Sequence, residues 1–201
     1  MDAMHPYEKL PLFGTGLVFG VVLVAVHLIC LLKSGEVIRF LKWFPRNASF
    51  GQILLGVGLA WFWLLIAPPN LGLLSSLCMD LGEFNAAKKI LWWLVPLSVV
   101  LVSMSVRDFL AVRALGLLGL MAAAPLLEAA FLEEPLSRLL ITVYAYVLIT
   151  VSLFLVGKPY VLRDAVNWAT ANTRRWRMLT MAGLAYGVVV LICCLSFWRG
   201  Y

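Results

Sequence analysis

Long apolar runs alternate with short polar connections along the whole chain. A helix that crosses a bilayer needs about 20 mostly apolar residues, because its backbone must be satisfied internally across a core about 30 Å thick. Six runs approach that length, residues 12–32, 50–67, 90–106, 114–132, 139–156 and 178–198, and the second and third are short. The first, LFGTGLVFGVVLVAVHLICLL, is longer than a secretory signal core and lacks a small-residue cleavage pattern, so it is expected to stay as a membrane helix. The pattern predicts an all-α, polytopic transmembrane helix bundle of about six spans, with residues 1–201 as a single integral membrane domain.

Two connections have a different periodicity. In KSGEVIRFLKWFPRN the charges Lys33, Glu36, Arg39 and Lys42 recur every three residues, opposite Val37, Phe40, Leu41 and Phe44, until Pro45 stops the helix. The second, GKPYVLRDAVNWATANTRRWRM, opens on Pro159 near a first helical position and ends in a basic aromatic cluster, with Trp168 and Trp176 as membrane anchors. Both are expected to be interfacial helices lying on the cytoplasmic face. Residues 67–89 mix prolines and glycine with apolar positions, which suits an interfacial helix or a shallow re-entrant loop; packing over helix ends is the favoured form.

Composition agrees with burial in lipid. Of the 201 residues, 63% are hydrophobic and 13% charged, too few polar groups to cover a soluble domain. Charge then sets orientation. Lys33, Arg39, Lys42 and Arg46, then Arg107 and Arg113, then Lys158, Arg163, Arg174, Arg175 and Arg177 lie on one side and outnumber Lys9, Lys88, Lys89, Arg138 and Arg199 on the other. The positive side is cytoplasmic by rule, so both termini are expected on the non-cytoplasmic side, with a bacterial inner membrane as the expected location. Trp61 and Trp63, and Trp92 and Trp93, fall near the ends facing one connection, where aromatic belts sit.

Few residues offer chemistry. Glu128 lies in the apolar stretch LMAAAPLLEAAFLEEPLSR, near the outer end of its helix and just before Glu133 and Glu134. An interfacial or hydrogen-bonding role is favoured there over a proton or ligand site. His27 is the one histidine inside a run, about 22 Å along its helix, at a depth different from Glu128. It reads first as a satisfied buried imidazole and more remotely as a single axial ligand to haem or chlorin; no cofactor and no metal is predicted. Arg107, Asp108 and Arg113 could clamp an anionic headgroup, although anchoring with a local ion pair is favoured. Arg39, Lys42, Arg174, Arg175 and Arg177 are further candidates for headgroup or partner contact. Cys30, Cys78, Cys193 and Cys194 form no metal-binding spacing and are expected as free, buried thiols. Gly16 and Gly20, Gly183 and Gly187, and Gly116 and Gly119 are small-residue packing positions.

No GxSxG, HExxH or glycine-rich phosphate loop is present, and the basic stretches beside membrane helices point to lipid or protein rather than nucleic acid. The sequence therefore suggests a noncatalytic structural or assembly subunit of a larger membrane complex, with membrane lipids and membrane proteins as partners. Two alternatives stay open. A small transporter or channel would use Glu128, and a lipid-modifying enzyme would need a pocket at Arg107 and Asp108.

Overall fold

The computed structural model describes residue 7 and residues 10–67, 78–105 and 109–200, with side chains for all of these except 99 and 102–105. Its helices are α1 (Leu12–Leu32), α2 (Ser34–Trp43), α3 (Ala48–Leu65), α4 (Lys88–Ser105), α5 (Leu110–Ala129), α6 (Leu139–Gly157), α7 (Tyr160–Thr170) and α8 (Thr173–Phe197). Short 3-10 turns occupy Phe44–Arg46, Gly82–Ala87 and Leu136–Arg138.

Among the described residues, five helices are long and apolar enough to cross a membrane: α1, α3, α5, α6 taken with the turn before it, and α8. Only 17% to 33% of the most apolar window in each is buried inside the protein, so the remaining apolar surface must face something other than water. Val18, Val22 and Ile29 of α1 and Val147, Leu153 and Phe154 of α6 all stand exposed. Lipid is the solvent that suits this arrangement. The protein is an all-α, polytopic membrane helix bundle.

Helix ends follow local chemistry. Asn47 and Asn172 cap α3 and α8, accepting from the backbone N–H of Phe50 at 2.7 Å and Arg174 at 2.8 Å. The cap at Asn172 begins α8 at Thr173, earlier than the expected 178, so Arg174 to Arg177 belong to the long helix and not to the surface one. Likewise α5 begins at Leu110, not 114, and takes Arg113 into the helix. In α4, Pro96 cannot donate to the carbonyl of Trp92, and the Trp63 indole N–H does so instead at 3.0 Å. The two indoles stack with centroids 3.9 Å apart, which fastens α3 to α4.

Glycine decides the closest contacts. Along α1 and α8, Gly16 meets Trp198, Gly20 meets Leu191, Gly187 meets Leu23 and Val24, and Gly183 meets His27, an antiparallel register over the full length. Between α5 and α6, Gly116 and Gly119 meet Ser152, with Leu148 and Val156 to either side, again antiparallel. Between α3 and α5 the register is different. Gly51 lies against Ala111 and Gly58 against Leu117, so those two helices run parallel. The chain between them must return to the end it left, and α4 lies on that leg.

One end of the bundle is closed by Trp198, fully buried with Leu12, Ala130, Ile141, Val190 and Cys194; its indole N–H donates to Ser137 Oγ at 2.7 Å. At the opposite end, α2 and α7 touch each other, and Phe44, Ala111, Val112 and Leu155 make a second core. This is the basic end.

Candidate functional site

On α1, the residues Gly16, Gly20, Leu23 and His27 face α8, and the opposite stripe of Gly14, Thr15, Val18 and Val22 is left for other contacts. That stripe forms one wall of a cavity of about 570 Å³ toward the Trp198 end, with Trp61 of α3 and Ala122, Pro125 and Leu126 of α5 opposite. Its lining is almost wholly apolar. The helix pairs α1–α8 and α5–α6 are each tightly packed, whereas α1 and α5 meet only sparsely, which is why the space between them stays open. Trp61 donates to the Tyr7 hydroxyl at 2.6 Å beside this groove. Partial burial pushes the Tyr7 phenol up, against the smaller opposing effect of that hydrogen bond.

Glu128 is half-buried one residue before the end of α5 and lines none of the cavities described here; its neighbours Pro125 and Leu126 face the groove. His27 donates from Nδ1 to the carbonyl of Leu23 at 2.8 Å, since a carbonyl can only accept. Nε2 packs against Gly183, inside a cavity of about 370 Å³ that also holds Tyr144, Val147 and Tyr186.

The basic candidates separate. Arg113 is half-buried, and its Nη1 donates to the carbonyl of Val156 at the end of α6 at 3.1 Å. Its Nε is buried with no partner among the described residues. Arg113 thus holds a helix end, a role that its place in a charged connection conceals. Arg107 and Asp108, expected beside it, lie outside the described residues, as do residues 68–77 of the connection read as interfacial or re-entrant. Arg175 stacks on Trp168, with its guanidinium carbon 4.5 Å from the ring centroid, and donates to the Trp168 carbonyl at 2.9 Å. Arg39, Lys42, Arg174 and Arg177 are exposed. Trp176 is buried and donates to the Cys30 carbonyl at 3.2 Å, so it ties α8 to α1 and does not anchor in lipid; Trp168 stays exposed. All four cysteines are free, and only Cys194 is buried.

The packing glycines Gly16, Gly20, Gly116, Gly119, Gly183 and Gly187 are all occupied within the chain, so a partner would have to use other surfaces. Gly51, Gly58, Ser152 and Trp198, which carry the tightest remaining contacts, are absent from the sequence-based set; the heptad spacing of Gly51 and Gly58 was the readable signal.

Comparison with protein families, with characterised proteins and with solved structures found no match. The fold and its apolar exterior define the class: an integral membrane helix bundle in contact with lipid.

Proposed function

We propose that the chain is a noncatalytic subunit of a larger membrane assembly and that it receives a partner's membrane helix in the groove between α1, α3 and α5. The groove carries this reading. It is long, open and apolar, and its walls combine small residues (Gly14, Thr15, Ala122) with the flat ring of Trp61, features that let a helix approach closely. The parallel register of α3 and α5 supports six crossings, with α4 as the third, and the basic residues gathered around α2 and α7 support a cytoplasmic placement of that end. Both termini are then non-cytoplasmic, in keeping with a bacterial inner membrane. A transport route through Glu128 has less support, because the groove beside it is apolar.

The test is mild extraction from native membranes followed by mass and subunit composition, for the natural chain and for Ala122→Trp. The large ring fills the groove from α5. Stoichiometric partner chains with the natural sequence, lost in a variant that keeps its helix content, are the expected result. A monomer or homodimer with the natural sequence overturns the proposal.

A further inference from the structure

Three stretches far apart in sequence meet in a second cavity, of about 210 Å³, at the basic end. Lys42 comes from the last turn of α2, Arg46 from the 3-10 turn that follows, Phe109 from the residue before α5, and Arg163 and Asn167 from α7. Arg163 and Asn167 are four residues apart on one helix and so share a face. Phe109 reaches the cavity from a left-handed backbone, φ 56, a conformation that a bulky residue adopts only when its surroundings impose it.

Among the described residues the charges there are unbalanced. Arg163 is held by Asp164, its Nε and Nη2 each 2.9 Å from one carboxylate oxygen, and among the described residues that is the single acid paired with a lining cation. Lys42 and Arg46 have no ion pair among the described residues. With Arg163 already paired, Lys42 and Arg46 are the lining cations left without an acid among the described residues, and an anion seated between them relieves their mutual repulsion. The Arg46 guanidinium fork matches the tetrahedral oxygens of a phosphoryl group, and the Lys42 ammonium, the Asn167 amide and the N–H groups that Asp164 leaves on Arg163 supply further donors.

The depth of the site is also suited to phosphate. Phe40 and Trp43 on α2 and Tyr160 and Trp168 on α7 are exposed aromatic rings, which place these two helices at the membrane–water boundary where phosphoryl headgroups lie. We infer that Lys42, Arg46, Arg163 and Asn167 form a binding site for a phosphoryl group, carried by an anionic phospholipid or by free phosphate.

The experiment uses the full chain in detergent, exchanged against an equal mixture of phosphatidylglycerol and phosphatidylcholine, with retained lipid counted by native mass spectrometry. Inorganic phosphate alone is titrated in parallel by calorimetry. The variant is Lys42→Gln with Arg46→Gln, and the control of equal charge is Arg39→Gln with Arg174→Gln, outside the cavity. All four side chains are exposed, so folding is retained. Binding is expected to weaken about 30-fold in the cavity variant and to change little in the control, from about 1 kcal/mol per basic residue at a membrane surface and 1.4 kcal/mol per tenfold. Selective retention of phosphatidylglycerol that phosphate does not displace assigns a lipid headgroup. Binding of inorganic phosphate without lipid preference assigns the free anion. No preference in either arm, or equal loss in variant and control, overturns the site.

Discussion

Replacing Gly51 by alanine adds a single methyl group where the two parallel helices α3 and α5 touch. A Cβ there would stand 2.5 Å from the backbone nitrogen of Ala111 and 3.0 Å from its Cα, against the 3.4 Å at which ordinary contact begins. The obstacle is backbone, so no side-chain rotation clears it, and α3 must move by about 0.9 Å or tilt. Overpacking of this kind costs about 1–3 kcal/mol. Gly56 lies on the same helix and has nothing within 4 Å of its Cβ position, which makes it a matched control. Both substitutions gain up to about 1 kcal/mol of helix propensity, so the propensity contribution cancels in the comparison. Gly51→Ala is therefore expected to unfold more readily than Gly56→Ala by about 1–3 kcal/mol, roughly 5- to 150-fold in the equilibrium constant. Unfolding in mixed micelles of rising denaturing-detergent fraction, read by the fluorescence of the 8 tryptophans, measures both. Equal midpoints would refute the parallel contact, and a more stable Gly51→Ala would show that α3 and α5 stand further apart than described.

Two further outcomes are expected. Trp198→Ala should destabilise the bundle by about 3–5 kcal/mol, whereas Trp198→Phe keeps a smaller aromatic ring and should cost less than that but more than the lost bond to Ser137 alone, about 0.5–1.5 kcal/mol. A double-mutant cycle with Ser137→Ala that shows no coupling would count against that bond. Asp80 accepts from the Asn85 side chain and the Gly82 backbone, which together hold its carboxyl below the ordinary value. Its contribution to the turn is present above the unfolded-chain pKa and is lost as pH falls through the lower, folded one. Carboxyl carbon titration by NMR checks the direction, and a midpoint at or above the ordinary carboxylate value contradicts the geometry.

The helices were legible because lipid demands unbroken apolar length and satisfied backbone, and both requirements are local. Span 12–32 coincides with α1, and Pro45 stops α2 at the turn Phe44–Arg46, as its missing donor requires. The two largest boundary shifts, at the starts of α5 and α8, took arginines into the helices. Arg113 and Arg174 to Arg177 look like ends of spans in a hydropathy pattern, yet Asn172 starts α8 ahead of its arginines, and Arg113 gains a carbonyl partner that exists only once α6 is beside α5. Trp176 looked like an anchor for the same reason, since an indole meets lipid or a Cys30 carbonyl equally well by composition.

By itself the sequence determined the class of molecule, which connections carry its basic residues and the amphipathic character of α2 and α7, all properties that depend on neighbours within one or two turns. Tertiary structure alone decided which helices pair, that α3 and α5 run parallel, that the small-residue faces are used within the chain, and that Lys42, Arg46 and Arg163 converge. The physical reason lies in the solvent. Lipid is as apolar as the side chains, so hydrophobicity does not tell an inward face from an outward one, and only the fit of one helix against another separates them.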